Sequence, residues 1–591
     1  MNNTPTQLPV LVPRLLIWIP IVLFILLSAL QAHKPLHLDN ADLPVWAKAV
    51  ADTGKPFAYR GELRVRDLFV YHTPLYLYTL GAWYKVFGYG PAQTRAINVV
   101  FALLAGWLVL QIVRHIYGRA VRDRVKLFFW PLFLLNAYTL QCAAIADIDT
   151  SIYGPLLIGL MLSIVRLQWK DGEQRTYRSW ELLWPAVLVA LCFWAKTTTI
   201  LLLLPFPLAV FLIRSRSIRS IRNGVLVAAG GVLLFITTYW CWAVAMPTSW
   251  LLTFQLVALY VRTRGSAGGS RMEDFLRNWE IMVPFVARWA GALIWLVAGW
   301  FLGSCLASYW RAVRHRLHDG QQHTAERIAV IAVVGGIAAA CNIYYTGQQV
   351  TFANSPFKYG FVFWPVICVI AAMVIATLRP DGERWPFRSE TWGNPLAAVL
   401  GTAALAGWIC TVAIYRDDHL IVQRPFPSPL WIVPVIAVVC AVGLYAWKHY
   451  QATRMVLWSI LAFHLGVQTG LCVHQAQQPY STTYNYGQLG LAETAAFIKL
   501  YTRPDEIIFC MKDLGPLSDR RYFESYPVLY GAPQEFEVAT RFIADNVRLV
   551  VATEGLGEDQ LYINPPLRDW VKANCRLIKS LGNYRIYEVI R

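Results

Sequence analysis

Between Leu15 and Val473 the chain returns repeatedly to apolar stretches of near membrane-spanning length, parted by short polar connections; Leu15–Leu30, Val99–Val113 and Leu396–Ile414 are three of them. A helix crosses a hydrocarbon layer with about 20 apolar residues, and inside lipid every backbone amide must find its partner within the chain. Those two requirements predict a bundle of transmembrane helices. About 13 spans meet the length criterion, near 15–32, 93–115, 126–145, 150–167, 180–196, 198–213, 224–245, 282–303, 328–345, 361–378, 396–415, 429–447 and 455–473. Composition points the same way. Of 591 residues, 57% are hydrophobic and 15% charged, where a soluble domain carries roughly 25% charged residues. No cleavage signature follows Leu15–Leu30, which is expected to stay as the first anchor.

The formal charge is +18, from 53 basic against 35 acidic residues. The basic residues gather in alternate short loops. Arg119, Arg122, Arg124 and Lys126 form one cluster, and Arg214, Arg216, Arg219 and Arg222 another. Arg311, Arg314 and Arg316, then Arg379, Arg384 and Arg388, then Lys448 and Arg454 continue the series. Basic loops of this kind face the cytoplasm and its anionic lipid, so the charge implies membrane lipids rather than nucleic acid as partners. One orientation satisfies every short loop. It puts the N-terminus inside and leaves outside 33–92, 146–149, the bend near Thr197, 246–281, 346–360, 416–428 and everything after 474.

The first outer segment, 33–92, contains two stretches expected to lie on the membrane, Leu43–Val50 and the amphipathic run Leu75–Phe87 with Tyr76, Tyr78, Trp83 and Tyr84. Aromatics favour the zone between headgroups and acyl chains. After His474 the pattern changes: helices are expected over Ala492–Leu500, Phe536–Ile543 and Leu567–Ala573, and strands over Glu506–Cys510, Val547–Ala552 and Tyr584–Ile590. The chain thus divides into a transmembrane domain, 1–473, and a small extracytoplasmic α/β domain, 474–591. The 11 cysteines show no metal-ligand spacing. Cys510 and Cys575 share the outer domain, where a disulfide between them and two free thiols are both open.

Candidate chemical groups lie at the outer boundary. Asp39, just beyond the first span, is either a solvated loop acid or a carboxylate shielded enough to act as general base. His72 precedes Pro74, which can open a helix, and is placed to donate to a phosphate oxygen. Asp147 and Asp149 flank the turn between spans three and four. Carboxylates there are costly against lipid and are expected to face the bundle interior. Lys196 sits between two apolar spans on the side where cations are few, and requires an anionic partner: a lipid-linked phosphate or an acidic side chain. Arg262, Arg264 and Arg271 surround a Gly-rich stretch that suits either a mobile surface loop or one that orders over a phosphorylated ligand. Lys358 and Tyr359 open the tenth span. Acids and cations at one level would let a base meet an incoming nucleophile while cations meet a departing phosphate.

The order of these motifs resembles the GT-C membrane glycosyltransferases of the protein O-mannosyltransferase and lipid A aminoarabinose transferase superfamily. Asp39-Asn40 stands where the family has an Asp-Glu pair, keeping the first acid and losing the second. His72-Thr73-Pro74-Leu75-Tyr76 matches a His-Pro-Pro-Leu-Tyr-like stretch except at Thr73. The family acid at the third turn falls on Asp149, with Asp147 beside it. Lys196-Thr197-Thr198 keeps the Lys of a Lys-Gly-Pro-like turn without its Gly. Lys358-Tyr359, with Pro365 displaced, is similar to a late Lys/Arg-Tyr-x-x-x-Pro element. The resemblance implies inverting transfer of a sugar from an undecaprenyl- or dolichyl-phosphate donor to a lipid, glycan or protein acceptor, at the outer face of a bacterial inner or plasma membrane. It implies Asp39 and Asp149 as catalytic carboxylates, with Asp39 the base that deprotonates the acceptor. His72, Tyr76, Asp147, Lys196, Arg262, Arg264, Lys358 and Tyr359 would bind substrate. No cofactor or metal is implied, although hard cations favour carboxylates and a divalent ion between Asp39 and Asp149 is the minor alternative. The rival architecture is a transporter using the same acids as an ion relay, which calls for charges at mid-membrane and internal repeats; neither is evident.

The charge pattern makes a topological prediction. Cysteines introduced at Arg216 and Arg314 should react with an impermeant thiol reagent only from the cytoplasmic side, and one at Gln488 only from outside. Labelling of all three from one side would overturn the orientation.

Overall fold

The computed structural model describes residues 11–56, 73–168, 179–246, 360–377, 461–477 and 490–591, with short interruptions within 33–38, 198–203, 215–217, 461–477, 511–513, 525–532 and 554–564. The expected spans near 282–303, 328–345, 396–415 and 429–447 lie outside these residues. Helix α1 (Leu11–Leu30) leads to α2 (Asp39–Thr53) and α3 (Leu75–Phe87), then to the long α4 (Pro91–Tyr117). There follow α5 (Arg119–Leu134), α6 (Ala137–Ala143), α7 (Tyr153–Gln168), α8 (Leu183–Ala195), α9 (Pro205–Arg214), α10 (Ile218–Ala245) and α11 (Trp364–Thr377). Helix α4 packs against α1, α3, α5, α7 and α11, while α8 lies along α10 and α2 along α3.

Several ends follow from sequence. Gly88 and Gly118, both at positive φ, stop α3 and α4 where an L side chain would be strained. Pro91 opens α4, where its missing N–H leaves no helical bond unmade. Among the described residues, Pro91–Tyr117 and Ser220–Ala245 are long and apolar enough by themselves to cross a membrane, and Ile17–Leu30, Tyr153–Gln168, Trp180–Ala195 and Trp364–Ala376 are shorter apolar helices. Helix α10 shows why lipid is its solvent. Ile221, Val225, Leu233, Ile236, Trp240 and Val244 recur at helical spacing on an exposed stripe, while Val227, Phe235, Tyr239 and Ala243 are buried. An outward apolar stripe of this length would be untenable in water.

Where helices approach closely, small residues stand between them, as expected when the solvent is as apolar as the side chains. A Cβ at Gly231 of α10 would lie 2.8 Å from the Ala186 carbonyl oxygen and 2.5 Å from Val189 Cγ1, both on α8. Likewise a Cβ at Gly81 of α3 would lie 2.9 Å from the Ala47 carbonyl oxygen of α2.

The C-terminal residues form an α/β unit: α12 (Leu491–Tyr501), β1 (Ile507–Cys510), α13 (Leu514–Ser518), β2 (Arg521–Glu524), α14 (Pro533–Asn546), β3 (Val547–Thr553), α15 (Pro565–Asn574), β4 (Cys575–Leu581) and β5 (Tyr584–Val589). Its five strands are ordered β2-β1-β3-β5-β4. Strand β1 is parallel to β2 and β3, whereas β5 is antiparallel to β3 and β4. Alternate residues feed two cores. Phe509, Phe523 and Val550 meet Ile543 of α14 and Val571 of α15 on one face; Ile508, Leu549 and Ile586 meet Leu491 and Ile498 of α12 on the other. Strands β2 and β4 at the sheet edges are additions to the elements expected from sequence. Both carry charge, which masks an edge strand and blocks unwanted pairing. Cys510 and Cys575 are buried, are not joined in a disulfide and belong to opposite cores. Strands β1 and β4 are separated by β3 and β5; at about 4.8 Å per step that is beyond disulfide reach.

Gly231→Leu should therefore push α10 off α8 and destabilise the folded protein by about 1–3 kcal/mol, read as a lower midpoint of thermal unfolding in detergent. A wild-type midpoint would show that the two helices do not depend on this approach.

Candidate active site

The third apolar span, expected to run unbroken over 126–145, is split. Helix α5 stops as the Leu135 N–H donates to the Pro131 carbonyl. Asn136 then adopts an extended conformation and its side chain accepts from the Tyr138 N–H, 2.9 Å away, capping α6. A second free amide at the start of α6, that of Ala137, donates to Gln468 Oε1 at 3.1 Å. Helix α6 lasts two turns and gives way to an irregular buried passage, 144–152, before α7 begins.

Irregular backbone away from water must find its partners within the protein, and side chains supply several of them here. The Asn98 amide donates to the Ile145 carbonyl at 2.7 Å and the Arg95 Nε to that of Ala144 at 3.2 Å. Thr150 Oγ1 donates to the Ile145 carbonyl at 2.7 Å, and Ser151 Oγ to that of Asp147. The Asp147 carboxylate accepts the Asp149 N–H at 3.0 Å, an Asx turn that shapes the passage. Asp147 and Asp149 thus face the bundle interior, 6% and 1% exposed.

Lys196 follows the last residue of α8, in extended conformation, its N–H closing the helix onto the Cys192 carbonyl at 2.9 Å. The ammonium Nζ donates to Asp149 Oδ2 in a buried ion pair. Of the two partners that the sequence left open for this lysine, the structure provides the acid. The segment opening α3 is tied to the same helix end: Thr73 Oγ1 donates to the Phe193 carbonyl at 2.8 Å. The threonine that departs from the family pattern therefore contributes a hydrogen bond that proline could not make. Tyr76, fully buried on α3, donates through its hydroxyl to Asn98 Oδ1 at 3.4 Å.

The structure thus gathers Tyr76, Asp147, Asp149 and Lys196. Asp39 is the first residue of α2, described in its backbone only. His72, Arg262, Arg264, Lys358 and Tyr359 lie outside the described residues. Arg95, Asn98 and Lys34 belong to no motif yet are buried in the same region. The signal for the first two was present, since they are polar groups one helical turn apart inside an apolar span, and polar residues there are costly unless used. Lys34, in the loop after α1, bonds Gln31 Oε1 at 3.3 Å; burial, with Arg95 close by, pushes its ammonium down to about 8. Among the described residues no group of three or more His, Cys, Asp or Glu side chains is arranged to hold a metal ion.

No protein-family model matches the chain, and no curated protein matches it by sequence. Solved structures do match by fold. ArnT from Cupriavidus metallidurans, a lipid A aminoarabinose transferase, superposes with a TM-score of 0.53 when bound to undecaprenyl phosphate and 0.52 in the apo state. Each alignment covers 97% of both chains at 14% identity. The oligosaccharyltransferase AglB from Archaeoglobus fulgidus, in complex with an inhibitory peptide and a dolichol-phosphate, covers 92% of this chain and 69% of its own at 12% identity and a TM-score of 0.46. At such identity the likeness to ArnT is one of fold. The chain has the GT-C membrane fold and is a polytopic integral membrane protein, as its motif order implied.

Removing one member of a buried ion pair strands the other, which costs about 3–5 kcal/mol, while replacing both by apolar side chains is often neutral. Lys196→Met should lower the unfolding midpoint sharply, and adding Asp149→Leu should recover most of the loss. A single variant as stable as wild type would show that the two charges are not coupled.

Proposed function

We propose that the protein is an inverting glycosyltransferase. It moves a sugar from a polyprenyl-phosphate donor to a lipid, glycan or protein acceptor at the extracytoplasmic face of a bacterial inner or plasma membrane. The observation that carries this reading is the buried Lys196–Asp149 pair beside Asp147 and Tyr76, inside the fold of a transferase crystallised with undecaprenyl phosphate. A buried acid and cation at the end of a helix bundle suit a reaction in which a lipid-linked phosphate monoester leaves a sugar as an anion.

In this mechanism Asp39 takes the proton from an acceptor hydroxyl or amine. The nucleophile forms its bond to the anomeric carbon from the face opposite the phosphate. The bond from that carbon to the phosphate oxygen breaks, and the electron pair leaves with polyprenyl phosphate. Lys196, His72 and Arg262 or Arg264 stabilise the leaving charge, with Lys358 and Tyr359 completing the donor site. Asp149 orients the Lys196 ammonium until a phosphate competes for it. Asp147 fixes the passage on which Asp149 stands. The basic cluster from Arg119 to Lys126 begins at the opposite end of α4 from Arg95, in keeping with an outer site and an inner basic loop. The C-terminal α/β unit is assigned to the outer side as a scaffold or acceptor-docking domain.

The test is sugar transfer by the purified protein in proteoliposomes charged with polyprenyl-phosphate sugars. Asp39→Asn should lower kcat by about 10²–10⁴-fold, the usual contribution of a general base, while leaving donor KM near wild type. Undiminished transfer by Asp39→Asn would remove the assigned base. Ion flux without transfer by the wild type would favour a transporter.

A further inference from the structure

Arg95 stands on the second turn of α4 and is 4% exposed. Its Nε donates to the Ala144 carbonyl at 3.2 Å, and its Nη1 donates to the Ala32 carbonyl at 3.0 Å and to the Lys34 carbonyl. Ala144 leads into the passage that carries Asp147 and Asp149. Ala32 and Lys34 lie on the way from α1 to Asp39, where α2 starts. One turn along the same face of α4, Asn98 holds the Ile145 carbonyl at 2.7 Å and receives the Tyr76 hydroxyl at 3.4 Å.

We infer that Arg95 is a positioning residue: it clamps the exit of α1, and with it the start of α2 at Asp39, against the passage bearing Asp149. This inference rests on the glycosyltransferase reading above, and it names what sets the spacing between the base and the ion pair. Only a rigid fork of several N–H donors reaches carbonyls on two segments at once; the single ammonium of lysine presents a point charge on a flexible stem. Remaining buried carbonyls would lose their donor if the guanidinium were removed, and the two segments would relax independently. Near the reacting atoms a displacement of about 1 Å is enough to slow a reaction about 100-fold. The effect is expected in kcat, because the guanidinium acts through the backbone carbonyls of Ala32, Lys34 and Ala144, which carry the two segments.

The experiment uses the full-length protein in nanodiscs, as wild type, Arg95→Lys and Arg95→Met. Arg95→Met should lower kcat about 100-fold with donor KM within about threefold, and Arg95→Lys should recover part of that loss. Hydrogen exchange should show 32–39 and 144–151 losing protection together in both variants while α8 and α10 keep theirs. Where Arg95→Met does not fold, Arg95→Lys alone decides by the same two readouts. Wild-type kcat in a folded variant, or protection lost from one segment but not the other, would overturn the inference. An inactive wild type with coupled exchange would instead sink the transferase reading and leave Arg95 a structural clamp without a positioning role.

Discussion

Lys196 and Asp149 meet inside a helix bundle where neither charge is sustainable alone. The desolvation penalty on each is several kcal/mol, and only the other charge with good hydrogen bonding offsets it. Two helix ends must therefore arrive at one place: the C-terminus of α8, closed at Cys192, and the passage between α6 and α7, shaped by Asp147. Thr73 adds a third by bonding the Phe193 carbonyl. The pair is weak evidence for stability in itself. Its value lies in specifying which ends must converge, since any other arrangement would leave a charge stranded.

The interrupted third span serves the same end. A continuous helix over 126–145 would satisfy its own backbone and present no polar groups beyond its side chains. Stopping it at Pro131–Asn136 creates loose amides and carbonyls in a dry interior, and side chains from elsewhere meet several of them: Asn136 and Gln468 for amides of α6, Arg95, Asn98 and Thr150 for carbonyls that follow. Such irregularity in membrane proteins is tolerated where protein buries it or a cavity adjoins it. Here it delivers two carboxylates into the bundle that a straight helix would have carried past.

The bundle and the C-terminal unit solve the packing problem differently. In the bundle the surrounding solvent is apolar, so Gly231 and Gly81 bring backbones into contact and exposed Ile, Val and Trp face outward. In the α/β unit water drives burial, and the sheet alternates its side chains between two helix-covered cores.

Span positions were legible in the sequence because hydrophobic length is a local property: α4, α7 and α8 lie close to the stretches that composition marks, and α3 is framed by Pro74 and Gly88. Strands β1, β3 and β5 were legible as short buried runs, whereas β2 and β4 were not, because charged edge strands read as loops. The break at Asn136 was hidden by the apolar residues on both sides of it. Which acid meets Lys196, and that Arg95 joins α1 to the turn after α6, could be decided only by the tertiary structure. Local pattern states what a segment must bury, but the partner of a buried charge lies at a sequence separation of 47 residues and becomes its neighbour only when the helices between them have folded.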